Sequence, residues 1–186
     1  MNKEDRILSV VRLTKEYAAL EQLKSAMFLW FHEGDPVSIH TLAAAAHDCF
    51  YWLVKHENEE SILRQWMSEQ SKGLQRRIAD AQNFFKHGHK WLKRQVSYPV
   101  IYGELLMLDS VVCYGILFGI DDIPGILRLY FVRFMLEHPG VLDGDLDGMF
   151  LERDVIEELT PSSRKEFFET GLRLLGESFH PDITPE

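Results

Sequence analysis

With 186 residues, the chain has the size of one domain, or of one compact domain with a small appendage. An apolar fraction of 46% with 12% aromatics provides for a sizeable core and excludes a disordered chain. A net charge of −9 excludes a global attraction for polyanions, so any polyanion site has to be a local one.

The periodicity is helical almost throughout. Thr14 precedes a run to residue 32 with Tyr17, Leu20, Leu23, Met27, Trp30 and Phe31 at three-and-four spacing, closed by Gly34. Asp35 and Pro36, a capping side chain and a first-turn proline, open a second helix to about Lys55. Its expected inner face is Ile39, Leu42, Ala46, Cys49 and Leu53, and the four alanines at 43–46 leave room for a neighbouring helix to come close. Shorter helices are predicted from Ser61 to about Gln70 and from Gln75 to about Lys86, the latter ended by Gly88. After a loop at 91–98, Pro99 opens a long apolar helix to about Phe118. A turn at 119–122 leads to a helix starting at Pro124 and ending near His138-Pro139-Gly140. An acidic, glycine-rich loop at 143–148 precedes a short helix at 153–159 and a final amphipathic helix from Ser163 to about Leu175.

No segment sustains strand alternation and no repeat of 20–50 residues occurs. The expected fold is all-α, an antiparallel helical bundle with its core in residues 1–140. Residues 141–186 supply the acidic loop and C-terminal helices, packed on the same domain. Cys49 and Cys113 fall in apolar patterns, which predicts buried free thiols and a reducing compartment. The first six residues are charged and lack the apolar region of a signal peptide. The nearest approach to a membrane span, 103–120, is interrupted by Glu104 and Asp109. A cytoplasmic protein with no membrane segment is expected.

Several patterns have a plain structural explanation. Asp143, Asp145 and Asp147 alternate like the start of a calcium loop, but position twelve is Asp154 rather than glutamate, and a solvated turn accounts for them. Asp121-Asp122 before Ile123-Pro124 reads as a helix cap rather than a metal site. Trp52, Trp66 and Trp91 read as core aromatics. His40 and His47 lie two turns apart, ~10 Å along a helix axis, too far to share one metal ion. They suit interhelical hydrogen bonds or the polar lining of a cleft, and are kept as ligand-binding candidates on that ground. Glycine-rich phosphate loops, a Gly-x-Ser-x-Gly elbow and a Cys-x-x-Cys pair do not occur, and no metal or cofactor is expected.

One segment breaks the acidic balance. From Ser71 to Gly103 there are seven Lys/Arg (Lys72, Arg76, Arg77, Lys86, Lys90, Lys93, Arg94) against Asp80 alone, a balance of +6, while the other 153 residues stand at −15. Within it, Asn83 and His87 are four apart, on one helical face near a C-terminus, with Lys86, His89 and Lys90 around them.

Ala81-Gln82-Asn83-Phe84-Phe85-Lys86-His87 resembles the signature of the HEPN superfamily of helical-bundle domains: an arginine, usually followed by a polar residue, with a histidine four to six residues later. The resemblance extends as a bundle over about residues 14–138. It implies a homodimer whose two motifs meet across a cleft, and in many members a metal-independent ribonuclease. Carried over, His87 is the acid/base and Asn83 the polar residue beside the phosphate, while Gln82 stands where the arginine belongs. In such a reaction histidine moves a proton at the ribose 2′-hydroxyl or the leaving oxygen, and arginine offsets charge on the phosphate. Glutamine carries no charge, and losing one such donor typically costs ~10²–10³ in rate.

The leading expectation is thus a homodimeric HEPN-like domain that binds RNA or a nucleotide with little or no cleavage. The contacts are expected from Arg76, Arg77, Lys86, His89 and Lys90, with His40 and His47 lining the cleft. A slow ribonuclease using His87, and an assembly module pairing subunits through 100–118 and 126–135, are the alternatives.

Overall fold

The structure, a computed structural model, describes residues 12–69, 71–86, 93, 95–141 and 150–177, except the side chains of Leu74, Gln75, Arg77, Ile78, Ala79, Gln82 and Lys86. Among these residues there are eight helices and no strand, the all-α bundle that the periodicity predicts. They are α1 (Lys15–Phe31), α2 (Pro36–His56), α3 (Ile62–Glu69), α4 (Lys72–Lys86), α5 (Ile101–Phe118), α6 (Gly125–Glu137), α7 (Arg153–Leu159) and α8 (Arg164–Leu174).

Local chemistry sets most boundaries. The Thr14 hydroxyl accepts from the Tyr17 N–H and caps α1. The Asp35 carboxylate accepts from the Ser38 N–H at 2.7 Å, with Pro36 in the first turn of α2. Ser163 and Glu166 form a reciprocal capping box on α8. The start of α6 differs from expectation. Its first amide, Gly125 N–H, donates to Glu177 Oε2 at 3.0 Å, and the side chains of Asp121 and Asp122 do not cap it. Ile123 and Pro124 carry the two aspartates out of capping position, and Arg128 instead ties the Asp121 and Ile123 carbonyls to the helix.

α2 lies between α1 and α5, and this decides which side of it is buried. The covered side is centred on Ala43, His47, Phe50 and Val54, whereas Leu42, Cys49 and Leu53 are only partly covered. The buried alanines Ala43, Ala44 and Ala46 and the helical glycine Gly103, set against His40, let these helices approach closely. The contacts His40–Gly103, His47–Asp109 and Phe50–Tyr114 advance together along both helices, so α2 and α5 run parallel. α1 opposes α5, since Trp30 near its end meets Glu104 near the start of α5.

The apolar stretches proposed for subunit pairing are largely consumed within the bundle. Ile126, Leu127, Leu129, Tyr130, Phe131, Val132, Phe134 and Met135 of α6 are all buried, as are Leu106, Met107, Leu108 and Val111 of α5. α5 is long and apolar enough to cross a membrane, but half of it is buried, and Glu104 and Asp109 are paired inside the protein. α8 packs on α6 and α1: Gly171 faces the Leu129 side chain, and the Phe168 ring stacks on Phe31 at 4.7 Å.

Candidate functional site

α4 has an inner and an outer side. Ala81 is fully buried, and the Phe85 ring meets His40 at 5.5 Å and Tyr98 at 5.2 Å. Arg76 and Asn83, seven residues apart and so on one stripe, are both exposed. Lys72 and Lys93 are exposed as well. Of the remaining residues singled out in this segment, His87, His89 and Lys90 lie outside the described residues, as do the side chains of Arg77, Gln82 and Lys86. The acidic loop at 143–148 and Trp91 also lie outside them.

His40 and His47 do not line an open cleft, because both are buried on the covered side of α2. His40 is 1% exposed, and neither ring nitrogen has a hydrogen-bond partner among the described residues. Phe85 and Tyr98 pack on its ring, and burial lowers its pKa to about 4, holding it neutral.

His47 Nε2 instead meets Asp109 Oδ2 at 2.7 Å. The same oxygen accepts from the Ser61 hydroxyl, and Oδ1 accepts from the Leu63 N–H at 2.9 Å. Burial would raise the Asp109 carboxyl, but the hydrogen bonds and charge of His47, with Ser61 and Leu63, hold it below the ordinary aspartate range. Serine, histidine and aspartate thus meet, but Ser61 donates to the carboxylate rather than to the imidazole. Among the described residues the imidazole does not face the hydroxyl, so the serine–histidine–aspartate order of a hydrolase triad is not formed here. The effect of the cluster is on α3: Ser61 Oγ accepts from the Arg64 N–H, and the carboxylate faces the positive end of the helix. Cys113 beside it is buried, with its thiol raised by burial and by Asp109; both cysteines are free, but Cys49 is only partly buried, not the buried thiol expected.

A second buried carboxylate joins four helices. Glu104, 5% exposed, accepts from Trp30 Nε1 at 2.8 Å and from His138 Nε2 at 3.1 Å, with Arg164 Nη2 at 3.5 Å. Arg164 lies over the Trp30 ring at 3.8 Å and also bonds Glu137, which Arg133 holds from the other side at 2.7 Å. Burial opposes ionisation of Glu137, yet the bonds and charges of Arg164 and Arg133 prevail and lower its pKa.

Between α3 and α5 runs a groove of about 400 Å³, which His138 and Val141 also line. The spacing of Ile62, Leu63 and Trp66 already marks an amphipathic face at 62–66, but what stands opposite it is visible only in the fold. Trp66 is 42% exposed at this groove, and Trp52 is 58% exposed under Lys55 Nζ at 4.9 Å, so neither is the core aromatic expected. No single turn of sequence contains both helices, since α3 and α5 are separated by α4.

No protein-family model matches the chain, and no curated protein or solved structure matches it either. Among the described residues no group of three or more His, Cys, Asp or Glu is placed to hold a metal ion.

Proposed function

We propose that this is a HEPN-like helical domain that binds RNA or a nucleotide through phosphate contacts on the outer stripe of α4 and the basic residues that follow it. The observation that carries this reading is the two-sided character of α4: Ala81 and Phe85 face the bundle while Arg76 and Asn83 face solvent, within the one segment of positive balance. Arginine supplies a planar fork for phosphate, and an exposed amide four residues before His87 suits a polar contact beside it. Cleavage is no part of the proposal, because Gln82 cannot supply the charge that offsets a developing phosphorane. A twofold dimer joining two such surfaces, in the cytoplasm, belongs to the same reading, and light scattering tests it.

Fluorescence anisotropy with a labelled single-stranded RNA, alongside a nucleotide competitor, tests the binding itself. Affinity is expected to fall linearly in log–log terms with salt. The double variant Arg76→Glu with His87→Ala should weaken binding at least tenfold at low salt and flatten the slope by about one or more. An unchanged melting temperature would show that the fold persists. Failure to bind at low salt, or equal binding by the variant, would refute the reading.

A further inference from the structure

The groove between α3 and α5 lies outside the α4 stripe and calls for a different ligand. Its walls are hydrocarbon: Ile62 and Trp66 from α3; Leu105, Leu108 and Val112 from α5. Ile62 and Trp66 are 48% and 42% exposed, and α3 has no fully buried residue, although its apolar side chains share one face. Apolar surface of this kind, gathered in a concavity with few polar groups, is the usual form of a small-molecule site.

The size of the space bears on the occupant. The groove offers about 400 Å³, within the range of small-ligand pockets.

The polar groups bear on the chemistry. Asp109 borders the groove, but both its oxygens already accept hydrogen bonds, from His47, Ser61 and the Leu63 N–H. His138 is different. Its side chain is 30% exposed, it borders the same groove, and Nε2 is held by the buried Glu104 carboxylate at 3.1 Å. Nδ1, the other ring nitrogen, has no partner among the described residues, and in the tautomer that donates Nε2–H to Glu104 it is an acceptor. A carboxylate that fixes one ring nitrogen in this way makes the other a directed acceptor.

We propose that the groove binds a small, mostly apolar molecule bearing one hydroxyl. Its ring or chain lies against Trp66, Leu105, Leu108 and Val112, and its hydroxyl donates to His138 Nδ1. A polar group left unpaired in such a site is penalised, so the hydroxyl gives selectivity over the bare hydrocarbon.

The test compares 4-propylphenol with propylbenzene by calorimetry, using the full chain. The phenol is expected to bind about tenfold more tightly, as one buried hydrogen bond allows. His138→Phe should erase that preference while leaving the hydrocarbon bound. Val112→Trp, which fills the groove, should abolish binding of both; Leu105→Trp fills it from another position should the first variant fail to fold by circular dichroism. Equal affinity of the two compounds for the native chain overturns the proposal. So does a preference that survives His138→Phe, or binding that does not saturate below about 1 mM. If neither compound binds and Trp66→Glu dissociates a dimer, the groove belongs to a second copy of the chain and the proposal is wrong.

Discussion

His40 shows what a single buried ring can do to the whole stability curve. Its nitrogens are buried without partners among the described residues, and its pKa of about 4 lies below the ordinary histidine value of 6.5. The unfolded chain therefore binds a proton between these values that the folded chain refuses. Stability is at its full level above pH 6.5 and declines as pH falls toward 4. On that difference His40 alone removes about 2 kcal/mol between pH 7 and pH 5. His40→Leu is expected to flatten this part of the urea-unfolding profile by about that amount. At neutral pH it should be neutral or slightly stabilising, since two unsatisfied polar atoms are replaced by hydrocarbon. A variant whose acid sensitivity equals the native chain's would show that His40 finds a partner on protonation.

At the level of elements, the pieces legible in the sequence are those governed by neighbours in the chain. Thr14, Asp35-Pro36 and Ser163 with Glu166 each act within a few residues, and each marks a helix start correctly. The pieces that were not legible depend on partners far away. Glu177, 52 residues on, replaces the aspartates expected to cap α6, and Asp109, 62 residues on, takes up His47. The inner face of α2 was displaced for the same reason, because a helix covered from two sides has no single apolar stripe. The candidate site followed this pattern. The basic segment could be read from composition, while the α3–α5 groove required two helices that only the fold brings together. Close packing between elements also makes a prediction. A Cβ on Gly171 would run into the Leu129 side chain, which is fully buried in α6. Gly171→Ala should therefore destabilise by about 1–3 kcal/mol through overpacking, despite alanine's better helix propensity. A denaturation midpoint equal to the native one would mean that Leu129 has another rotamer available.

Across the described residues, burial is distributed unevenly, and the α3 wall of the proposed groove lies on its thinner side. α1, α2, α5, α6 and α8 share the large buried residues, among them Trp30, Phe31, Phe50, Met107, Tyr130, Phe134 and Phe167. α3 contributes none, and its N-terminal end is held by Ser61 and the Asp109 carboxylate rather than by a buried face. Such an element can open without exposing the core, because the apolar area it would release is already half in water. Amide hydrogen exchange is therefore expected to show two tiers. Amides of α5 from Leu106 to Val111 should exchange only with global unfolding, whereas those of α3 from Gln65 to Glu69 should exchange at least ~10²-fold faster through local opening. Saturating 4-propylphenol should slow the α3 amides selectively, since a ligand that bridges α3 and α5 binds only the closed form. Equal protection in the two helices would mean that α3 is integral to the cooperative core, and that the exposure of Ile62 and Trp66 does not reflect a weakly held element.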